Sequence, residues 1–150
     1  MDTFAAYSFN LNQFPGSNEF TALYDEYRIE YLRFELQPET GGSSGSPCWS
    51  VIDYDDDTTP TSTGDIVQYA TLMKSAPGQS FQRQFKPKVE TSVYQSTTAT
   101  GYAPRANVWI DLGNPTVPHY GIKLAFPYVA GVNTQHKVTV TARIQCRNTR

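Results

Sequence analysis

Charge is scarce in this sequence: 12 Lys and Arg with 14 Asp and Glu make up 17 % of 150 residues, against roughly 25 % in an average soluble domain. A net charge of −2 and a pI near 5.6 give no overall basic footprint for nucleic acid. Such a role would need a local patch or a further segment, and no Arg or Lys precedes Arg28. Only two cysteines occur, Cys48 and Cys146. They are too few for a disulfide framework and too far apart for a clustered zinc site, so two separate buried thiols are expected. No run of apolar residues is long enough for a membrane-spanning helix. Met1-Asp2-Thr3-Phe4 lacks the basic and apolar stretches of a signal peptide, so the chain reads as non-secreted. Asn114-Pro115-Thr116 is no glycosylation acceptor because Pro holds its middle position.

Catalytic signatures are missing as well. There is no Gly-x-Ser-x-Gly elbow, no phosphate-binding Gly-rich loop and no His-Glu-x-x-His. Of the two histidines, His119 sits in Pro118-His119-Tyr120 with no nucleophile signature beside it, and His136 is assigned to the polar phase of the last strand. The expectation is a protein that is not an enzyme.

Aromatic residues, by contrast, are abundant: 10 Tyr, 8 Phe and 2 Trp. With 39 % hydrophobic residues the chain does not resemble a disordered one. Its length suits one domain that buries roughly 68–70 % of its unfolded surface. Strict alternation is the dominant pattern. From His136 to Arg147, Val138, Val140, Ala142, Ile144 and Cys146 point one way, and Lys137, Thr139, Thr141, Arg143, Gln145 and Arg147 the other. The same period marks Ala5, Tyr7, Phe9 and Leu11, then Leu32, Phe34 and Leu36 before Pro38, then Val108, Ile110 and Leu112, and Ile122, Leu124 and Phe126 before Pro127. Cys48 to Tyr54, Ser80 to Lys86 and Val89 to Tyr94 complete eight expected strands.

Turn-rich segments separate them, including the Gly/Ser tract from Thr40 to Pro47, which reads as an exposed loop within one domain. Two stretches follow a helical period instead. After Ser17 as N-cap, Phe20, Leu23, Tyr24 and Tyr27 fall at i, i+3, i+4 and i+7. A second short helix is expected from about Thr63 to Ala70. Eight antiparallel strands with two short helices in the loops predict an all-β jelly roll or another Greek-key sandwich of two packed sheets.

Three groups of residues are candidates for function. Asp53, Asp55, Asp56 and Asp57 crowd four carboxylates into five residues, which either bind a hard cation such as calcium through oxygen ligands or form a solvated acidic loop. Lys137, Arg143 and Arg147 share the polar phase of the last strand, either as a phosphate-facing stripe or as ordinary surface charge. Arg83, Lys86 and Lys88 form a second, weaker basic group. Tyr94, Tyr102 and Tyr128 are candidate subunit contacts, since interfaces enrich Tyr and deplete charge at their centres; the alternative for them is core packing or loop anchoring. A competing reading of the whole chain is a carbohydrate- or ligand-binding β-sandwich module that stacks sugars on exposed Tyr and Trp.

The stretch Leu11-Asn12-Gln13-Phe14-Pro15-Gly16-Ser17-Asn18-Glu19-Phe20-Thr21-Ala22-Leu23-Tyr24-Asp25-Glu26-Tyr27-Arg28-Ile29 resembles a strand, short helix and strand segment of the capsid proteins of circular, Rep-encoding single-stranded DNA viruses, the circovirus-like group. The likeness continues through Leu32, Phe34, Leu36 and Pro38, through the aspartate-rich turn Asp53-Tyr54-Asp55-Asp56-Asp57, and through Pro118-His119-Tyr120-Gly121-Ile122-Lys123-Leu124 before the final strand. It implies a single eight-stranded jelly roll spanning residues 1–150, a homo-oligomer of 60 copies closing an icosahedral shell in the virion, and a single-stranded viral genome as partner. Satellite plant viruses with RNA genomes use a similar subunit. Members of the family usually begin with an Arg-rich arm that binds the genome and directs the protein to the host nucleus. This sequence shows no such arm, which implies weak genome contact by these 150 residues. No pattern identifies a host receptor, and no membrane partner is expected.

Overall fold

The structure, a computed structural model, describes residues 1–39 and 45–149. The first five residues of the expected Gly/Ser loop, 40–44, lie outside them. In chain order the strands are Thr3–Phe9 (β1), Tyr24–Pro38 (β2), Cys48–Ile52 (β3), Met73–Ser75 (β4), Phe81–Phe85 (β5), Lys88–Gln95 (β6), Thr98–Ala106 (β7), Ile110–Asp111 (β8), His119–Phe126 (β9) and His136–Thr149 (β10). The helices are Ser17–Leu23 (α1) and Thr63–Val67 (α2), and a 3₁₀ turn spans Leu11–Gln13.

All pairings are antiparallel. One sheet runs β4-β3-β9-β6-β7, with β1 on the other side of β9; the second runs β10-β2-β5, with β8 also on β2. Alternation puts the apolar rows face to face between them. Tyr27, Ile29, Leu32, Phe34 and Leu36 of β2 are all at most 2 % exposed and meet Ile122 and Leu124 of β9, Phe9 and Phe85. The change from odd to even inward positions in β2 coincides with a bulge: Arg143 pairs with Tyr31 but Ile144 with Ile29, which leaves Glu30 as the extra residue. A second register shift lies at Tyr7/Ser8 of β1, opposite Gly121. A Cβ at Gly121 would stand 2.9 Å from the Asp53 carbonyl oxygen and 3.2 Å from that of Tyr7, so this position excludes any side chain.

β9 is buried on both faces. Its outward residue Ala125 joins Val51 and Ile66 in a smaller cluster that α2 covers, with Phe4, Trp49, Tyr69 and Leu72 around it. Arg83, which the β2–β5 register turns inward opposite Phe34, reaches across to the other sheet. Its guanidinium donates to the Ser50 carbonyl and hydroxyl and to the Thr71 carbonyl at 3.2, 3.1 and 2.8 Å. That contact ties the two sheets together along the β5 side.

Several expectations need correction. The structure has ten strands where eight were expected. β7 was missed because Thr98–Ala106 carries no alternating large apolar residues and contains Pro104. The expected strand at Val108, Ile110 and Leu112 shrinks to the two residues of β8, and Leu11 belongs to the 3₁₀ turn. α1 ends at Leu23, so Tyr24 and Tyr27 belong to β2; the helical spacing was overridden by the long pairing of β2 with β10. Gly16, at φ +79°, and not Ser17 holds the N-cap of α1. In α2 the N-cap is Ser62, whose hydroxyl accepts from the Asp65 amide while the Asp65 carboxylate accepts from the Ser62 amide. Cys48 is buried and Cys146 only half-buried; both are free thiols.

Phe34 is fully buried and packs on Tyr7 and Phe9, with ring centroids 5.4 and 6.5 Å away. Phe34→Ala is expected to destabilise the fold by about 3–5 kcal/mol, measured as the shift of the urea midpoint at an unchanged slope.

Candidate functional site

The acidic cluster begins where β3 leaves the sheet. Alternation continues one residue past the strand, so Asp53 points to the outer face beside Lys123 of β9, with its amide donating to the Gly121 carbonyl at 3.2 Å. Lys123 is 5 % exposed and Asp53 equally buried. The Lys123 ammonium lies 2.7 Å from Asp53 Oδ2 and also bonds Asp56 Oδ1, while the Tyr69 hydroxyl donates to Asp53 Oδ2 at 2.6 Å. Burial alone would raise the Asp53 carboxyl, but hydrogen bonds from Asp55, Lys123 and Tyr69 outweigh it and hold the group down at about 2. Burial likewise works against the Lys123 charge, and the bonds to Asp53 and Asp56 overcome it, leaving Lys123 raised above its ordinary value. Asp55 is raised by its hydrogen bond to Asp53, by burial and by repulsion from Asp53 and Asp56.

Lys123 supplies positive charge to Asp53 and Asp56, two of the four carboxylates for which a bound calcium and a solvated acidic loop were the alternatives. Among the described residues no group of three or more His, Cys, Asp or Glu is arranged to hold a metal ion. Asp57 instead accepts from the Ser8 hydroxyl at 2.9 Å, and Asp56 accepts from the Thr58 amide at 3.2 Å. Sequence reasoning named the carboxylates and missed the lysine. The available signal was a lone charge inside the apolar strand Ile122-Lys123-Leu124-Ala125-Phe126.

Lys137, Arg143 and Arg147 do share one face, the outer face of the β10-β2-β5 sheet, as the register requires. They are not a free basic stripe. Arg143 lies 3.1 Å from Glu30, which also takes Arg28 at 3.1 Å, and Arg147 lies 2.5 Å from Glu26. The Arg28 and Arg147 guanidinium carbons stand 4.6 and 4.2 Å from the ring centre of Trp109. The second basic group disperses: Arg83 turns inward, Lys88 lies over the Tyr54 ring at 4.4 Å, and Lys86 borders a surface cleft with Glu30, Tyr31, Asn107 and Arg143.

Tyr94 stands on β6, within the expected strand from Val89 to Tyr94, and Tyr102 on β7, which was not expected. Among the described residues the β6–β7 hairpin's one ladder pair with the body of its sheet is Lys88–Tyr120. In its ladder Ser92 faces Tyr102 and Glu90 faces Pro104, so Tyr94 and Tyr102 project from the same face. Tyr128 follows β9, with its amide bonded to Asp2 Oδ1 at 2.8 Å. All three rings are 59–70 % exposed, which removes core packing as their explanation.

The histidines are structural. His119 is buried, with Nδ1 3.0 Å from the Val117 carbonyl and its pKa lowered by burial. His136 falls on the apolar phase of β10, contrary to the assignment from sequence. Its ring packs 4.8 Å from that of Phe126.

Among solved structures that share this fold are viral capsid proteins. The chain matches the BFDV capsid protein in its 60-mer form at 24 % identity, with 97 % of this chain and 81 % of that one covered and a TM-score of 0.73. The decameric form matches at 23 % identity, 98 % and 85 % coverage and a TM-score of 0.66. The coat structure of Melon necrotic spot virus matches at 20 % identity, covering 98 % of this chain and 50 % of that one, with a TM-score of 0.63. No curated relative matches the sequence. The fold is thus that of a viral jelly-roll coat subunit. The model of the family described as circovirus capsid protein matches residues 2–150, and the chain belongs to that family. It is a structural protein of the virion, not an enzyme, and nothing supports the sugar-binding module.

Two outcomes are expected for the Lys123 cluster. Because the Asp53 pKa is depressed from 3.8 to about 2, its contribution to stability is present above pH 4 or so and is lost as pH falls through about 2. Acid titration of the unfolding midpoint should show that loss in the wild type and not in Asp53→Asn. Lys123→Met leaves a buried carboxylate uncompensated and should cost about 3–5 kcal/mol. With Lys123 in place, melting temperature should not change on adding calcium or chelator.

Proposed function

We propose that this chain is the self-assembling subunit of a small icosahedral shell, on the 60-copy plan of the BFDV particle, enclosing a single-stranded viral genome. Membership of the capsid family over residues 2–150 is the observation that carries this reading. The exposed tyrosines support it physically. Tyr94 and Tyr102 on a projecting hairpin and Tyr128 just after β9 offer large, rigid, amphipathic contacts of the kind that protein interfaces enrich. Heterologous contacts repeated around rotation axes close such subunits into a shell.

Genome contact through the outer face of β10 is weak in this reading. Arg143 and Arg147 already face carboxylates, so Lys137 is the cation of that row most available to a phosphate.

Negative-stain electron microscopy of the purified protein should show uniform hollow particles; a monodisperse monomer at every salt and pH tested would refute the shell. Tyr94→Ser with Tyr102→Ser should abolish or strongly reduce particles while changing stability by no more than about 0.5 kcal/mol, as for exposed positions. If particles carry nucleic acid, Lys137→Glu should lower their absorbance ratio at 260 and 280 nm.

A further inference from the structure

The two long sides of the sandwich are finished differently. Along the β5 side, Arg83 bridges the sheets. Along the other, β10 presents an open edge: among the described residues it pairs with β2 alone. Among the described residues this is the longest open edge, 14 residues without proline, whereas β1, β4 and β5 have seven, three and five residues and β7 contains Pro104. Long, unblunted edges present a row of unpaired amides and carbonyls that accept another strand. The inward side chains agree. Val138 is 38 % exposed, and Val140, Ala142, Ile144 and Cys146 are only half-buried, although their partners across the ladder in β2 are at most 2 % exposed. The core is incompletely covered along that line.

We propose that the open edge of β10 pairs antiparallel with β10 of a second copy, about a two-fold axis that places Thr141 opposite Thr141. The strand is self-complementary in the way this requires. A register that sets inward residues opposite inward residues matches one apolar row to the other. Charge then selects among the registers. Centring on Val140 or Ala142 sets Lys137 opposite Arg143 or Arg147, and centring on Arg143 sets like charges opposite each other; such pairs are destabilising. Centring on Thr141 sets Lys137 opposite Gln145 and Arg143 opposite Thr139, and covers Val138 with Ile144 and Val140 with Ala142. Centring on Ile144 or on Thr139 also separates the cations, but the first leaves Val138 uncovered and sets Val140 against Asn148, and the second pairs only 136–142 of the strand and leaves Ile144 uncovered. The inference rests on the shell reading only in naming the partner as a second copy; the edge and its register follow from β10 itself.

The test is cysteine cross-linking in a Cys146→Ala background, with sedimentation to give the mass. Thr141→Cys should form a disulfide-linked dimer under mild oxidation. Thr139→Cys should not, because its two copies would be offset by four residues, about 14 Å. Val138→Lys, at an exposed inward position, should return a monomer with unchanged circular dichroism and melting. A monomeric wild type, or equal cross-linking of both cysteine variants, overturns the pairing. So does a monomer whose outer β10 amides resist hydrogen exchange, which would give the edge to a strand of other origin. Shells that form without the Thr141→Cys bridge overturn the pairing and leave the shell reading intact, whereas bridged dimers that never close into shells do the reverse.

Discussion

The packing of β2 against β9 is the contact on which the remaining structure depends. β2 supplies five inward apolar residues, and β9 answers with Ile122 and Leu124. The other strands attach to these two, β10, β5 and β8 to β2 and β1, β3 and β6 to β9, with β4 and β7 added through β3 and β6. A strand so placed cannot leave its second face to water, because β9 has neighbours on both edges and α2 above. Burying that outer face forces a solution for the one charge it carries.

That solution is the loop after β3. Lys123 is inside because its strand is inside, and an ammonium without a partner there would be costly. The chain returns Asp53 and Asp56 to it, with Tyr69 completing the hydrogen bonding of Asp53. The density of acid in Asp53-Tyr54-Asp55-Asp56-Asp57 then has a structural cause. Two carboxylates close on the lysine, and Asp57 pins the loop to Ser8 of β1. The loop is bound to the outer face of β9 by charge, while α2 is bound to it by Ile66 packing on Val51 and Ala125.

Much of this was legible before any coordinates. Strands buried on one face announce themselves by alternation, and β10, the Leu32–Leu36 half of β2, and β9 were all placed by it. The first half of β2 was not, since the bulge at Glu30 shifts the apolar phase and lets Tyr24 and Tyr27 imitate a helix. β7 was invisible for another reason: it lies on the outer strand of the projecting hairpin, exposed along most of its length, so its sequence keeps no period. The candidate sites followed the same division. Asp53 and Tyr94 could be singled out by residue type, but pairing partners could not, because Lys123 lies 67 residues from Asp56 and Glu30 acts on Arg143 only through the register of a ladder. His136 shows the cost of a single-position error in phase, which turns a core-facing ring into a surface one.

The shortage of charge is the last consequence of the architecture. On the outer face of the β10-β2-β5 sheet, Glu26 answers Arg147, Glu30 answers Arg28 and Arg143, and Glu35 lies 3.8 Å from Arg33. Exposed pairs of this kind add little stability, with a typical worth of about 0–1 kcal/mol each. Their effect is to lower the local field: three carboxylates answer four arginines, and only a small positive excess, Lys137 included, is left to attract a phosphate. Counterion release, the main source of affinity for nucleic acid, scales with the number of phosphates a protein neutralises. A face that spends its arginines on its own glutamates leaves few for that purpose. The composition of these residues is thus suited to building a wall of repeated copies rather than to gripping a polyanion.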